Sequence, residues 1–233
     1  MRTSHSQKIM NDLHLEPIFS RLSEDEFLRI KRHLYLREYK KGQVLFYEGD
    51  HRDRVYYLYS GLIRLEKNDP SANFSYIDYV KHNTFFPYGG LFTDDDYSYT
   101  AYAATDIEIF YISSKIFEEV VLGNKQQLLY IYKNLSRVLS YHEIRIRNTT
   151  TPSATERIVQ ALAIWMEDLG EENEDGTITI PYPLTIIELA KMSGTTRETT
   201  GTVVKSLKED KLINYEKKLF TYLDVEHFHE YLT

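Results

Sequence analysis

The chain has 233 residues, a length that allows one large domain or two small ones. Hydrophobic residues make up 42% of it and charged residues 27%, which excludes a mainly disordered chain. Cysteine is absent, so disulfides, thiolate catalysis and cysteine-held zinc or iron–sulfur centres are excluded. No apolar run approaches the roughly 18–20 residues of a membrane span, and residues 1–12 lack the apolar core of a secretory signal. We therefore expect a cytoplasmic protein with no membrane partner.

The net charge of −7 is unevenly distributed along the chain. Residues 1–152 carry 20 basic and 20 acidic side chains, whereas residues 153–233 carry 8 basic and 15 acidic ones. Within that acidic part, residues 191–218 hold seven basic and four acidic side chains. The overall charge therefore gives no indication of a nucleic-acid partner, and this local basic stretch is where such a partner would be sought.

Short helices over residues 16–34 open the chain and are followed by a region of strands. Ser23 and Glu26 have the spacing of a capping box. From residue 36 to 112, strand-length runs rich in Tyr, Phe, Val and Ile alternate with turn signals such as 48–50 and 89–90. Strand-sized runs at intervals of about 8–12 residues are typical of an antiparallel sandwich or barrel.

Residues 114–148 follow as a predicted helix with an apolar seam. The seam positions are spaced alternately by four and three residues, the rhythm of a coiled coil. The seam consists of Leu128, Tyr132, Leu135, Leu139, His142 and Ile146. We expect the helix to pair with its copy in a homodimer; the alternative is a helix that packs on its own sheet, which needs a wider apolar stripe. His142 would face its twin, where paired histidines can sense pH or bridge a metal, although a solvated or hydrogen-bonded histidine is the simpler interpretation.

Residues 149–152 break the helical pattern, because Pro152 disfavours helix at the residue before it. We interpret them as a hinge. Ser153 and Glu156 then have capping-box spacing and open a further helix, which Gly170 ends. An acidic loop and a short strand come next.

A helix-turn-helix pattern lies beyond that strand. Thr185 and Glu188 form another capping box, Gly194 supplies a turn, and Thr195 is the predicted cap of the second helix. Two strand-like runs within 212–223 follow, with a turn between them. Two short helices joined by a glycine turn and followed by a hairpin are typical of a winged helix-turn-helix.

The second helix of this pattern has the residue types that read double-stranded DNA. The first residues of a recognition helix lie near base edges in the major groove. Arginine can bind O6 and N7 of guanine, glutamate can accept from N4 of cytosine, and lysines and helix N-terminal amides can meet phosphates. The predicted DNA-binding residues are Thr195, Thr196, Arg197, Glu198, Gly201, Thr202, Lys205, Lys217 and Lys218. The alternative is that the two helices are ordinary packing.

Four segments, in this order, resemble the Crp/Fnr family of bacterial transcription regulators. They are 41–50 (KGQVLFYEGD), 57–63 (YLYSGLI), 155–158 (TERI) and 196–201 (TRETTG). The resemblance implies an α+β protein with a cyclic-nucleotide-binding-type β-roll, a long dimerisation helix and a C-terminal winged helix-turn-helix. It also implies a homodimer that binds a palindromic operator in double-stranded DNA, with RNA polymerase as a further partner.

The resemblance sets the predicted domains and the two main base-reading residues. Arg197 and Glu198 match the base-reading positions of the family, whereas Thr202 stands where many members carry arginine. The predicted domains are 1–113 for the N-terminal helices and sensor roll, 114–148 for the dimerisation helix, 149–152 for the hinge and 153–233 for the DNA-binding domain.

The sensor roll departs from the family members that bind cyclic AMP. Those members have a Gly-Glu pair for the ribose and an Arg-Ser pair for the phosphate. Pro87 and Tyr88 stand in place of the first pair, and Tyr99 and Thr100 in place of the second. A buried phosphate without arginine leaves its charge unpaired, so we expect no cyclic AMP binding. Segment 86–92 (FPYGGLF) resembles the Firmicute branch that activates arginine-deiminase genes.

Three interpretations of the roll stay open: an empty scaffold, a pocket for a different ligand, or a metal on histidines. Such a pocket would be lined by Tyr88, Tyr99 and Tyr102, although packing explains these tyrosines more simply. We expect no cofactor and no metal.

An enzyme on a β-roll would need closely spaced histidines, but the strand region holds only His51 and His82. We therefore expect no enzyme activity. The alternative function is a regulatory ligand-binding β-roll module without specific DNA binding.

Overall fold

The computed structural model describes residues 9–10, 13–68 and 75–232. They form two compact units. The N-terminal unit takes in the described residues up to 68 and residues 78–137, and the C-terminal unit takes in 75–77 and 138–232. No helix within these described ranges is both long and apolar enough to cross a membrane.

The N-terminal unit begins with helical segments and continues as strands. A 3-10 helix at Leu13–Leu15 is followed by α1 at Glu24–Lys31, which Ser23 and Glu26 cap in the predicted capping box. The strands are β1 Tyr35–Tyr39, β2 Val44–Phe46, β3 Arg54–Ser60, β4 Leu62–Asn68, β5 Ser75–Lys81, β6 Thr84–Phe86, β7 Thr100–Ala103 and β8 Ile107–Ser113. The first residues of β5 belong to the C-terminal unit.

These strands form two antiparallel sheets that enclose an apolar interior. The strand orders are β1-β8-β3-β6 and β2-β7-β4-β5. Side chains alternate between the faces of a strand. In β3, Tyr56 and Leu58 therefore point to the interior of the roll, while Val55 and Tyr57 pack in a second cluster with residues of the helices. The α+β class and the β-roll predicted from the sequence are confirmed.

A buried ion pair holds the segment after β6 against the helix that follows β8. The Arg52 guanidinium donates to Glu118 at 2.6 Å and to the Asp94 carbonyl at 3.0 Å. Glu118 also accepts from the Phe92 amide at 3.1 Å. The Arg52 side chain is only 5% exposed and that of Glu118 19%. Removal of either partner would leave a desolvated charge, so this pair fixes the segment that carries Gly89 and Gly90.

The stretch 114–148, predicted as one dimerisation helix, consists of two helices. They are α2 at Ser114–Gly123 and α3 at Lys125–Thr149. Asn124 lies between them in an extended conformation, and its side-chain oxygen accepts from the Gln127 amide at 2.9 Å. An asparagine side chain can satisfy a free amide at a helix start, so Asn124 begins a new helix inside the range predicted as a single one.

The C-terminal unit combines the end of α3 with a compact helical and stranded assembly. Its further elements are α4 Ala154–Leu169, β9 Glu171–Glu172, β10 Ile178–Thr179, α5 Ile186–Ser193, α6 Arg197–Glu209, β11 Ile213–Glu216, β12 Leu219–Tyr222 and α7 Val225–His229. The sheet order is β11-β12-β10-β9. Trp165, Phe220 and Phe228 are buried in its core. The fully buried Tyr222 donates to the Leu162 carbonyl at 2.7 Å, which ties the sheet to α4.

Candidate nucleic-acid interface

Helices α5 and α6 form a helix-turn-helix whose turn is set by one glycine. Thr185 and Glu188 cap the start of α5 in the predicted capping box. Gly194 ends α5 in the left-handed region, with φ of 61°, where a side chain would be strained. α6 begins at Arg197, so the turn predicted from the sequence is confirmed.

The cap of α6 is Thr196 rather than the predicted Thr195. The Thr196 side chain accepts from the Thr199 amide, whereas the Thr195 amide donates to the Ala190 carbonyl at 3.0 Å. The Thr195 amide is therefore used inside the turn and is not free to bind a phosphate. Adjacent threonines have the same capping preference, so the sequence offered no means of choosing between them.

Helix α6 has one buried and one exposed side. The buried side consists of Thr200, Val203, Val204 and Leu207. At 3.6 residues per turn, a different set of five positions lies on the other side. We term this set the reading face; it consists of Arg197, Glu198, Gly201, Thr202 and Lys205, of which all but the half-buried Gly201 are exposed.

Arg197 and Glu198 are the two charged side chains at the start of the reading face. Within the part of the chain that the structure describes, neither side chain makes a hydrogen bond or an ion pair. The Thr202 hydroxyl, in contrast, donates to the Glu198 carbonyl at 3.0 Å. The arginine and the glutamate are thus available to an external partner, while Thr202 has its hydroxyl occupied and offers its methyl group.

The lysines of α6 have two different environments. Lys205 lies 3.7 Å from Glu209 in an exposed pair, which holds it only weakly. Lys208 donates to the Tyr215 carbonyl at 3.1 Å and so joins α6 to β11. A cleft of about 530 Å³ lies between these elements, with Gly201 and Tyr215 in its wall. No local pattern in the sequence pointed to the Lys208 hydrogen bond, because it joins two elements that only the tertiary fold brings together.

Gly201 is a glycine that the fold does not require. A Cβ built on it would meet nothing within 4 Å, and its φ does not lie in the positive region. Glycine inside a helix costs about 0.5–1 kcal/mol relative to alanine. Gly201 therefore lowers the stability of α6 slightly. Because it has no side chain, a partner could approach the helix backbone at this position.

The wing is a β-hairpin, β11–β12, with a two-residue turn of unusual sequence. Glu216 pairs with Leu219, so Lys217 and Lys218 form the whole turn between β11 and β12. Their φ angles are 50° and 69°, the pattern of a turn in which Asn-Gly is strongly preferred. Side chains in this region cost roughly 1–2 kcal/mol each. Two exposed cations are thus displayed at the tip at the expense of local stability.

A chain of hydroxyls lies behind the reading face, and sequence reasoning missed it. The hydroxyls of Ser193 and Thr195 share a hydrogen bond at 2.8 Å, as do those of Thr195 and Thr200. The Thr200 hydroxyl also lies 2.9 Å from the Thr196 carbonyl, to which it donates. We term Ser193, Thr195 and Thr200 the hydroxyl chain. The density of serine and threonine in 193–202 was the available signal for it.

Most of the predicted seam on α3 is exposed and apolar. The exposed fractions are 39% for Leu128, 64% for Tyr132, 40% for Leu135, 56% for Leu139 and 67% for Ile146. These positions lie on one narrow side of a continuous helix. If α3 packed this stripe on its own sheet, the same side chains would be buried. They are exposed, which favours an external partner.

His142, the sixth seam residue, is half-buried against an aromatic neighbour within the C-terminal unit. Its Nε2 lies 3.0 Å from the Tyr76 hydroxyl, with which it shares a hydrogen bond. The Arg145 guanidinium stacks on the Tyr76 ring and donates to the Ile77 carbonyl at 2.9 Å. The hydrogen-bonded histidine is therefore the interpretation that the structure favours over a histidine free to pair with its twin.

The three tyrosines predicted as a candidate effector site do not share one pocket wall. Tyr88 packs with Phe85 in the cluster next to the helices, and burial raises its pKa. Tyr99 packs with the interior cluster of the roll. The Tyr102 ring lies under the Arg64 guanidinium, 5.1 Å from its centre. Residues 9–10, 13–68 and 75–232 include no cluster of three or more His, Asp or Glu side chains that could hold a metal ion.

Aromatic rings fill the interior of the roll. Phe46 stacks on Tyr97 with ring centres 3.7 Å apart, and Tyr56 stacks on Phe86 at 5.4 Å. The Tyr97 hydroxyl donates to the Arg54 carbonyl at 2.8 Å, and burial raises the pKa of Tyr97 to about 12. The tyrosine-rich composition of the strand region is thus explained in large part by packing.

Two family models match the chain, one on each side of the predicted hinge. Residues 36–124 match the cyclic nucleotide-binding domain, and residues 156–231 match the Crp-like helix-turn-helix domain. The second match contains the whole reading face and the wing.

The chain is similar to several proteins named as regulators. The chain is 26% identical to the HTH-type transcriptional regulator ArcR of Staphylococcus epidermidis, over 80% of this chain and 81% of that one. It is 27% identical to the global nitrogen regulator of Synechococcus elongatus, over 81% and 85% respectively. Its structure is similar to the crystal structure of a CRP/FNR-family transcriptional regulator from Thermus thermophilus. That comparison has a TM-score of 0.60 and 27% identity, over 85% of this chain and 98% of the other.

Gly201→Ala tests whether this glycine is required by the fold. We expect the free energy of unfolding of the C-terminal unit to rise by about 0.5–1 kcal/mol, because alanine loses less backbone entropy in a helix. Urea unfolding followed by the fluorescence of Trp165, the single tryptophan, measures it. Gly176→Ala is the control: its added Cβ also meets nothing, but φ is +81°, so the same substitution should destabilise. A loss of stability in Gly201→Ala would contradict the expectation.

Proposed function

Because the chain belongs to the Crp/Fnr family of transcription regulators, we propose that it acts as a homodimer that reads a palindromic operator with two copies of its reading face. The observation that carries the proposal is the pair Arg197 and Glu198. Both side chains are exposed on α6 and, among the described residues, have no partner in the chain. A helix start that carries an unpartnered arginine and glutamate suits the base edges of a major groove.

The roles of the reading-face residues follow from their chemistry. Arg197 donates two hydrogen bonds to O6 and N7 of a guanine, and Glu198 accepts one from N4 of a cytosine. The methyl group of Thr202 packs on a thymine methyl, because its hydroxyl is held by the Glu198 carbonyl. Gly201 lets the DNA approach the helix closely. Preference at the base pair next to Thr202 therefore rests on shape and methyl contact.

Phosphate contacts come from one threonine and three lysines on and beside this face. Thr196 at the helix start, Lys205 on α6, and Lys217 and Lys218 at the wing tip are all exposed. The strained conformation of the two wing lysines is explained if their charge is needed at that point, since strain in functional segments is offset by the interactions they make. The acidic residues of the unit lie partly in a different segment, the β9–β10 hairpin. Four of them are exposed there: Glu171, Glu172, Glu174 and Asp175.

The dimer forms along the seam of α3. Burial of five exposed apolar side chains against their copies removes a stripe that is costly in water. Two paired helices place the two reading faces on one side of a duplex, about one helical turn apart, as a two-fold-symmetric operator requires.

Arg197→Ala tests base reading. We expect operator affinity to fall by about 1–3 kcal/mol per half-site, with relaxed choice at one base pair, because the two hydrogen bonds to guanine are removed. Selection of bound duplexes from a randomised pool measures the choice, and fluorescence anisotropy measures the affinity. An unchanged sequence preference would show that Arg197 does not read a base.

The control for Arg197→Ala is a wing variant, Lys217→Asn with Lys218→Gly. It should weaken binding to all sequences alike and reduce the salt dependence, by roughly 0.9 in the slope for each phosphate that is no longer neutralised. The same variant should stabilise the protein, because Asn-Gly suits this turn. Absence of any duplex binding by the unmodified protein at low salt would instead favour a ligand-binding module without specific DNA binding.

Leu135→Asp with Leu139→Asp tests the seam. We expect monomers, because dimerisation would bury like charges against each other. Light scattering of the purified protein measures the mass. Ser136→Asp with Ser140→Asp is the matched control, since it adds the same charges at the same spacing on exposed positions beside the seam. Dimers that persist in the seam variant, or monomers in the control, would contradict the assignment.

We propose further that the roll does not respond to cyclic AMP, although the domain matches the cyclic nucleotide-binding model. Tyr99 stands where the resemblance puts the phosphate-binding arginine, and it packs with the interior cluster. The Thr100 hydroxyl beside it accepts from the Glu48 amide at 3.1 Å. Neither side chain offers a positive charge to a cyclic phosphate.

A fluorescent cyclic AMP analogue tests this directly. We expect no saturable anisotropy change with up to millimolar analogue, because an unpaired buried phosphate costs several kcal/mol. Tyr99→Arg is the variant to compare, since it places a positive charge where the resemblance puts the phosphate-binding arginine. Micromolar binding by the unmodified protein would overturn the proposal.

The proposed target genes are the arginine-deiminase genes. The resemblance of 86–92 to the Firmicute branch supports activation of arginine-deiminase genes together with RNA polymerase. The similarity to a regulator named ArcR supports it as well, but the similarity to a global nitrogen regulator is equally strong. We propose action in the cytoplasm, where DNA is available. Genome-wide mapping of bound sites identifies the target genes.

A further inference from the structure

Arg157, on the first turn of α4, bonds to two separate segments of the C-terminal unit. Its Nη1 donates to the Thr151 carbonyl at 2.8 Å and to the Pro152 carbonyl at 3.1 Å. Its Nε donates to the Ser193 carbonyl at 3.2 Å. One guanidinium therefore joins the segment that follows α3 to the C-terminal end of α5, although 36 residues separate Arg157 from Ser193.

All three acceptors are carbonyls that regular secondary structure leaves without a helical partner. Thr151 and Pro152 lie between the end of α3 at Thr149 and the start of α4 at Ala154. Ser193 is the last residue of α5, where the carbonyls at a helix end are unpaired and the helix dipole favours a cation. A planar group with donors in a fixed fork suits this set, and lysine, with a single nitrogen, cannot reproduce it.

From Ser193 the connection continues to the reading face. Ser193 is the first member of the hydroxyl chain, which reaches Thr200 on the buried side of α6 and the Thr196 carbonyl at its cap. Thr200 is fully buried, so this end of α6 has little freedom to turn about its axis. The Ser193 hydroxyl also lies 2.8 Å from the Leu189 carbonyl, to which it can donate. A series of contacts thus runs from residues 151–152, through Arg157 and the backbone of Ser193, to the hydroxyls behind the helix that carries Arg197.

We propose that Arg157 is a positioning residue that fixes the direction of α6 relative to the last turns of α3, and thereby sets the spacing between operator half-sites that the dimer accepts. The inference rests on the proposed function. Adding one base pair moves a half-site by about 3.4 Å and rotates it by roughly 35°. If the connection between α3 and α6 is rigid, the dimer binds an operator with the altered spacing more weakly. If the connection is flexible, the dimer can adjust to the altered spacing and loses less affinity.

The test compares full-length variants on operators of different spacing. Half-sites are first obtained by selection on the unmodified protein, and duplexes are then made with the selected spacing and with one or two base pairs added or removed. Arg157→Met removes all three hydrogen bonds, and Arg157→Lys retains at most part of them. Lys191→Met is the matched control, because it removes one positive charge from the exposed surface of α5 and leaves the three bonds intact.

We expect Arg157→Met to reduce the ratio of affinities between the selected and the shifted spacing by about 2- to 30-fold, the range of effects that single residues have on coupling. Arg157→Lys should give a smaller reduction of the same kind. Lys191→Met should lower affinity for every spacing by the same factor and leave the ratio unchanged. Binding of Arg157→Met to unrelated duplex at low salt should match that of Lys191→Met, since both variants lose one charge.

A fold control separates positioning from loss of structure. Trp165 is buried in α4, so its fluorescence reports whether the C-terminal unit of each variant is intact. If Arg157→Met does not fold, Arg157→Lys carries the test. A folded Arg157 variant with the spacing ratio of the unmodified protein would refute the positioning role while leaving the proposed function intact. An unmodified protein that selects no paired half-sites would instead refute the proposed function.

Discussion

The burial of one side of α6 is the constraint on which the interface depends. Thr200, Val203, Val204 and Leu207 are packed in the C-terminal unit, and at 3.6 residues per turn this packing decides which residues face outward. This packing alone places Arg197 and Glu198 on the exposed side of α6. The core of the unit therefore does two things with one set of contacts: it stabilises the winged helix-turn-helix and it orients the residues that we propose to read DNA. A core substitution that turned the helix by one residue would expose Val203 or Val204 in place of the reading face.

The positions at which the local fold would prefer another residue are informative. Gly201 has neither a positive φ nor a close neighbour that would require glycine, and Lys217 and Lys218 adopt left-handed conformations that favour asparagine and glycine. Each choice lowers stability slightly. Local cost without a structural return is expected at functional sites, and here such positions lie on the reading face and at the wing tip. Positive φ is not confined to this surface, because Asn83, Phe92 and Lys211 have it as well; at the wing tip it coincides with two of the basic residues of 191–218.

What the sequence predicted well is what local chemistry decides. The capping boxes at Ser23 and Thr185, the turn at Gly194 and the alternating strands of the roll each depend on a few neighbouring residues, and the structure has them as predicted. The errors also have physical reasons. The helix predicted over 114–148 is interrupted at Asn124, which caps the start of α3, and Thr195 and Thr196 have equal capping preferences. Contacts such as Arg157 to Ser193 join residues far apart in sequence, and no local pattern encodes them.

The sensor roll matches the cyclic nucleotide-binding domain, and its interior is packed with its own side chains. A cyclic nucleotide brings a negative charge into a roll, and arginine is what makes that burial favourable. The resemblance places Tyr99 at the corresponding position here, and stacked rings lie in the interior, among them Phe46, Tyr56 and Tyr97. Stacked aromatic pairs contribute about 0.5–1.5 kcal/mol beyond the area they bury. The two sheets are therefore held together by their own side chains, and the roll does not depend on a bound nucleotide to complete its core.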